Sequence, residues 1–231
     1  MDGSVGTADL VPKLEGSSLA LERVELGDGA VWSPSQPDDD TLLWVVEGAG
    51  ALVLDQGSFA LEPSTAALVL AGEQATVEPS SSLQLLRVTV GPDADRHAPL
   101  GRRETTARLE DAGPEAATGA RSFQLLFGPH NGSTRTTLFA GYIPPGKAPW
   151  HYHLYDEIVW VPEGPGRLHL DDGVQDLGAG AAFRLRPRQM HIVENASTDR
   201  ELAILGVFTP AGSPSAAYLS PEVAAAYAFA G

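Results

Sequence analysis

The chain has 231 residues, with 25 glycines, 18 prolines, no cysteine and a formal charge of −15. That acidity opposes sequence-independent attraction to a nucleic-acid backbone, and the lack of cysteine removes thiolate metal sites, disulfides and a cysteine nucleophile. No apolar run approaches the roughly 20 residues needed to span a bilayer, and the opening Met1-Asp-Gly-Ser-Val lacks the basic start and apolar core of a signal peptide, so no membrane partner and a cytoplasmic location are expected.

Residues 18–26 and 41–54 alternate or run apolar and are expected to be strands, separated by the Pro- and Asp-rich loop Ser33-Pro-Ser-Gln-Pro-Asp-Asp-Asp40. Further strands are expected near 58–62, 66–70, 75–78 and 83–90. From Gly91-Pro92 to about residue 120 charge rises and periodicity fades, which reads as a linker with a short helix around Thr106 to Asp111. Strands resume at 121–127 and 134–143 and again at 167–171, 181–186, 191–194 and 201–208. Ser220-Pro221-Glu222 then offers a cap, a first-turn proline and an acidic group at the positive end of a dipole, opening a short C-terminal helix. Glycine and proline fall as turn punctuation throughout, an all-β composition.

The chain repeats itself. Shifted by 116 residues, Trp44, Val45, Glu47, Gly48, Gly50, Leu52, Leu54, Asp55, Gly57 and Leu61 fall on Trp160, Val161, Glu163, Gly164, Gly166, Leu168, Leu170, Asp171, Gly173 and Leu177, ten identities in an eighteen-residue window. Duplication on that scale predicts two domains, 1–95 and 121–231, joined by a linker over 96–120.

Two segments of the second half carry the chemistry. In an extended segment, His151 and His153 leave the same face, and Glu157 keeps that parity. Gly146, His151, His153, Glu157 and Gly164, followed by Gly180, His191 and Asn195, resemble the two motifs of the cupin superfamily. The second motif departs from the family in its middle: Arg186 stands where the family has Pro, Arg188 where it has Gly, and Pro187 is displaced by one. The resemblance implies two tandem cupin (double-stranded β-helix, jelly-roll) barrels followed by the short helix, with His151, His153, Glu157 and His191 binding one divalent metal in the second. Positions 35, 37, 41 and 75, opposite those four, are Ser, Pro, Thr and Ala, so the first barrel is expected to be degenerate and free of metal. His97, His130 and His169 are read as loop or strand histidines without a role.

Three imidazoles and a carboxylate suit Mn, Fe, Ni, Co or Zn, and the resemblance favours Mn or Fe. Arg184, Arg186 and Arg188 alternate, and in a continuous strand they would share a face where a guanidinium could take an anionic substrate; surface arginines answering the chain's carboxylates are the competing reading. Of these, Arg186 is the candidate catalytic residue. Tyr155 shares the parity of the ligands and is the other candidate catalytic residue, a hydrogen-bond donor to a metal-bound oxygen, against a plain core role. Lys147 reads as an exposed loop residue. The expected function is a metal-dependent, dioxygenase-like oxidoreductase acting on a small oxygenated or anionic molecule. The alternatives are an isomerase, decarboxylase or lyase of a sugar acid or keto acid, and a non-catalytic small-molecule-binding protein. By resemblance, a homodimer is expected.

Overall fold

The computed structural model describes residues 3–117 and 120–219. Its strands are, in the first half, β1 (Val5–Val11), β2 (Leu19–Leu26), β3 (Asp40–Glu47), β4 (Gly50–Leu54), β5 (Gly57–Leu61), β6 (Thr65–Val69), β7 (Ala75–Pro79), β8 (Leu83–Val90) and β9 (Thr106–Arg108). The second half has β10 (Pro114–Ala116), β11 (Ser122–Phe127), β12 (Thr137–Ile143), β13 (Gly146–Lys147), β14 (His151–Tyr152), β15 (Asp156–Trp160), β16 (Gly166–Leu170), β17 (Gly173–Leu177), β18 (Ala182–Leu185), β19 (His191–Asn195), β20 (Leu202–Thr209) and β21 (Tyr218–Leu219). The 116-residue register places β4 on β16, β5 on β17 and β7 on β19 end to end.

Each half is a jelly roll of two facing sheets. The first pairs the order β1-β2-β8-β3-β6-β9 with β5-β4-β7; the second pairs β10-β11-β12-β20-β15-β18 with β17-β16-β19-β14-β21, β13 joining β19. Fold class is thus all-β, as the punctuation of the sequence predicts. The expected helix near Thr106 to Asp111 is instead strand β9, held by β6, and a single 3-10 turn, Leu109–Asp111. The segment read as a linker is accordingly divided, β9 extending a sheet of the first half and β10 one of the second. The expected C-terminal helix falls on residues 220–231, outside the described residues. No helix among the described residues is long and apolar enough to cross a membrane.

The apolar runs of β3 and β15 follow from being covered on both faces, which removes the alternation of a half-exposed strand. In β3, Leu43 and Val45 enter the core of the first barrel, whereas Leu42 and Trp44 enter a core between the halves. In β15, Val159 points into the second barrel and Ile158 into the shared core, with Trp160 packed against it. Period-two geometry therefore puts Glu157, in phase with Val159, on the barrel side. Matching glycines fix the turn after each strand: a Cβ on Gly48, whose φ is +85°, would lie 2.0 Å from the Ser82 carbonyl oxygen, and one on Gly164 2.6 Å from that of Leu177.

The halves are also tied by polar contacts made by two aspartates at matching positions of the repeat, one through a hydrogen-bonded network and one through an ion pair. Asp156 accepts from Arg184 at 2.6 Å and from the Ser17 hydroxyl at 2.6 Å, and Arg184 continues to the Leu19 carbonyl at 2.8 Å. Asp40, the counterpart of Asp156 in the repeat, lies 3.4 Å from Arg135 of the second half.

Candidate metal centre

His151, on β14, is the Cα partner of His191 on β19, so backbone pairing alone brings two imidazoles to one spot. His153 follows β14 at the same parity, and Glu157 rises from β15 on the facing sheet. All four are buried, between 1% and 7% exposed. The rings of His151 and His191 have centroids 4.4 Å apart and those of His151 and His153 5.1 Å. One ring nitrogen from each of the three lies within 4.8 Å of the others, and Glu157 Oε2 stands 3.7 Å from His153 Nε2.

The tautomers are set by the backbone. Nδ1 of His151 lies 2.9 Å from the Pro149 carbonyl, that of His191 2.9 Å from the Gln189 carbonyl, and that of His153 3.3 Å from the Ala216 carbonyl. A carbonyl oxygen only accepts, so each Nδ1 carries the proton and donates it, leaving Nε2 with a lone pair available to a ligand. Burial keeps the rings neutral. It pushes His151 down to about 3, helped by the neighbouring His191 and Arg121, and His153 and His191 to about 4. Burial pushes Glu157 the other way, up to about 8, so without a cation its carboxyl is mostly protonated at neutral pH.

This donor set fits a divalent ion. Three neutral imidazole nitrogens and a carboxyl whose charged form lacks solvent are what a cation stabilises, and the outer nitrogens already have the second partners that orient ligating histidines.

Beside the centre lies a cavity of ≈ 70 Å³, lined by the four residues above and by Arg121, Tyr155 and largely apolar walls including Phe123, Phe139 and Val159. Tyr155 stacks between His153 (4.5 Å between centroids) and Phe208 (3.9 Å), and its hydroxyl donates to the Pro214 carbonyl at 3.4 Å. It is both a core aromatic and part of the cavity wall. Arg121, half-buried just before β11, stands within electrostatic reach of Glu157 and Tyr155. The sequence reading overlooked it. Its signal was parity: Arg121 is in phase with Phe123, a buried residue of the same wall.

Arg186 needs correction. Strand β18 ends at Leu185, Pro187 follows, and Arg186 is exposed and does not line the cavity. Arg184 has the opposite parity to the inward Phe183 and Leu185 and faces the first half, where the Asp156 pair holds it. Arg188 takes the glycine's backbone role, with φ +65°, and its N–H donates to the His153 carbonyl at 2.6 Å. The turn before His191 is thus kept without the family's glycine. Asn195 anchors the end of β19, donating to the carbonyls of Ile143 at 2.8 Å and Arg200 at 2.7 Å. Of the remaining histidines, His169 pairs with Glu194 at 2.5 Å, away from the centre. Lys147 is exposed, as read.

Comparison with known proteins agrees with this geometry. The cupin domain profile matches residues 139–208. A 77-residue stretch is 38% identical to L-ectoine synthase of Rhodococcus opacus (strain B4), covering 32% of this chain and 53% of that enzyme, so the match spans about half the length of the curated relative. The fold resembles a cupin 2 conserved barrel domain protein from Leptotrichia buccalis, with TM-score 0.63, 13% identity and 89% of each chain covered. It also resembles Bacillus subtilis oxalate decarboxylase, with TM-score 0.70, 14% identity, and 90% of this chain and 73% of that one covered. Residues 139–208, which carry the four candidate ligands, match the cupin domain profile, and the chain has the fold of two barrels in tandem that it shares with these cupin structures.

Proposed function

We propose that the chain is a divalent-metal-dependent enzyme acting on a small, oxygenated, anionic molecule in the cavity of the second barrel. The observation that carries this reading is the convergence of three neutral imidazoles and a buried carboxyl at the wall of that cavity. His151, His153, His191 and Glu157 would hold the ion. Mn or Fe is the metal of choice, Ni, Co and Zn being compatible with the same donors; the similar oxalate decarboxylase is described by its Mn(II) centres. When bound, the ion supplies Lewis acidity toward an oxygen-bearing ligand and, as Mn or Fe, a redox-active centre.

The chain's own groups do the rest. The carbonyls of Pro149, Gln189 and Ala216 hold the imidazoles in one tautomer and orientation. Glu157, protonated when the site holds no cation, would give up its proton to serve as the charged donor of a bound ion. The walls of Phe, Ile, Leu and Val lower the local dielectric on their side of the cavity, which strengthens the polar contacts a substrate makes there. Burial raises the pKa of Tyr155 above its usual value, so its hydroxyl stays protonated and serves as a donor at the wall.

Oxygen dependence separates two forms of the reaction. In the dioxygenase-like form dioxygen is consumed; in the redox-neutral form the substrate is isomerised, decarboxylated or cleaved. Similarity to proteins named as a synthase and a decarboxylase favours the second form. The test is turnover of short 2-oxo and hydroxy carboxylates by metal-loaded protein, in air and without oxygen, with Glu157→Gln alongside. Metal-dependent product formation lost in Glu157→Gln supports the proposal, and its persistence without oxygen selects the redox-neutral form. Full metal loading without turnover on any compound would leave a metal-dependent binding protein instead.

A further inference from the structure

We infer that Phe139, laid across Gly206, is the specificity-determining wall of the cavity, and that this pair limits the ligand to a molecule with a very short tail. The inference deepens the proposed function and rests on it for the end of the ligand that meets the ion.

Glycine inside a strand weakens it, and where it persists it marks a bulge or a close approach. Strands β12 and β20 each hold one away from their ends, Gly141 and Gly206. The two are paired crosswise. Phe139 is the Cα partner of Gly206 and Ile204 that of Gly141, so each glycine faces a large side chain on the neighbouring strand. Strands β2 and β8 take the same two places in the sheet of the first half and contain no glycine. Their inward side chains, Val24 and Leu26 on one and Leu83 and Leu85 on the other, join the core of that barrel. The missing side chains belong to the barrel that holds the candidate metal centre.

A Cβ on Gly206 would fall on the Phe139 ring, against Cζ and Cε1. One on Gly141 would stand 2.9 Å from Ile204 Cγ1 and 3.3 Å from Phe139 Cε2. The ring and Ile204 therefore lean into space that two side chains would otherwise take, and Phe139, Gly141 and Ile204 together line the cavity. Elsewhere the ring meets Phe123 and Phe208, with centroids 6.4 and 6.0 Å away, and both of these are buried. A close-packed interior gives way only where it has room, so a group added at position 206 drives the ring into the cavity. Room there is scarce. The cavity of ≈ 70 Å³, at roughly 10–15 Å³ for each water, holds about five non-hydrogen atoms. The ligand class that follows is a molecule with an oxygen-bearing end for the ion and almost no tail to set against Phe139.

The experiment has two arms, each run on wild type, Gly206→Ala, Phe139→Ala and the double variant Gly206→Ala with Phe139→Leu. Xenon NMR of the metal-free protein reads the chamber itself. Water-proton relaxation of the Mn(II)-loaded protein reads binding of glyoxylate, pyruvate, 2-oxobutyrate and 2-oxopentanoate. Wild type should take up xenon and lose affinity as the oxo acid lengthens. Gly206→Ala should lose the xenon signal and bind every oxo acid about tenfold or more weakly, the scale of an overpacked interior, with Mn(II) stoichiometry kept. The double variant, whose leucine returns the space the methyl takes, should recover both. Phe139→Ala should bind 2-oxopentanoate at least about tenfold more tightly than wild type does, the scale of removing a buried ring. Unchanged xenon uptake in Gly206→Ala, the wild-type dependence on length in Phe139→Ala, or a wild type that takes up no xenon would overturn the inference. So would losses in Gly206→Ala that the double variant does not restore, which would put the effect in β20 and not in the ring. A wild type that takes up xenon but neither Mn(II) nor any oxo acid would remove the proposed function instead, and the xenon arm would still decide the role of Gly206 and Phe139.

Discussion

Where the second barrel has His151 and His191 facing each other, the first has Ser35 and Ala75. The Ser35 hydroxyl there accepts from the Ala75 N–H at 2.7 Å. Where the second has Glu157, the first has Thr41, fully buried and donating to the Pro34 carbonyl at 3.1 Å. Both barrels thus keep the strand register, and both satisfy the polar groups at these positions, but the first does so locally and fills its interior with Leu, Val and Ala. The second leaves imidazole nitrogens and a carboxyl aimed at open space. Closing a cavity around polar donors costs packing and desolvation, and only the barrel with ligand-type side chains bears that cost. The comparison teaches that fold and site are separable here: the register supports either a solid core or a binding chamber.

Putting the site's carboxyl into the solid barrel should break this contrast most severely. Thr41→Glu places an ionisable group in a core without space or partners, and should destabilise the protein by about 3 kcal/mol or more, read from the urea midpoint. A loss below about 1 kcal/mol would mean that the first barrel retains a latent chamber. The link between the halves comes next. Asp156 and Arg184 have side chains only 13% and 7% exposed, so Arg184→Ala removes the buried charge partner of the carboxylate next to Glu157 on β15, leaving it the Ser17 hydroxyl alone, and frees the Leu19 carbonyl of the first half. We expect a loss of about 3 kcal/mol, with metal affinity reduced as well. Unchanged stability would show that the pair is dispensable.

The acid response of the metal-free protein sharpens the same contrast, because the imidazoles and the carboxyl that burial shifts furthest belong to the second barrel. His151, His153 and His191 are held near 3 to 4, below the unfolded value of about 6.5. Their contribution is therefore present above pH ~6.5 and lost as pH falls toward those folded values. Glu157, raised to about 8, acts oppositely: its contribution is present below its unfolded value of about 4.3 and lost as pH rises through the folded one. Three groups outweigh one, so urea midpoints should rise from pH ~4.5 to ~6.5 and then decline toward pH 8. A flat profile across this range would contradict the burial assigned to the four. The smallest effect is at Arg188, whose positive φ glycine adopts without strain; Arg188→Gly should stabilise by about 0.5–1 kcal/mol. Destabilisation would show that the arginine side chain holds the turn before His191.

Much of this was legible in the sequence because it is periodic. Turn punctuation, the 116-residue repeat and the parity of His151, His153 and Glu157 are one-dimensional patterns that β geometry translates directly into faces and registers. That Ser35, Pro37, Thr41 and Ala75 stand at the positions of the four in the first barrel was legible for the same reason. What escaped depends on tertiary context. Arg186 was placed on a strand that Pro187 ends one residue early. Arg184 faces the other half, a partner that no local pattern names. Arg121 reaches the cavity from a position just ahead of β11 and 30 residues before His151, and nothing in its neighbours resembles a ligand motif. The helix expected near Thr106 gave way to β9 because the edge of β6 offers hydrogen bonds that an isolated turn of helix cannot match.

The central claim is that the second barrel binds one divalent ion through these four side chains. The direct measurement is plasma mass spectrometry of protein purified without chelator, wild type beside His151→Ala and His191→Ala, followed by a Mn(II) titration of the metal-free wild type in weak buffer at pH 7. The account predicts close to one Mn or Fe per chain, loss of it in both variants, and release of somewhat less than one proton per ion as Glu157 ionises. A wild type that stays free of metal after reconstitution, or variants that keep it, would contradict the account.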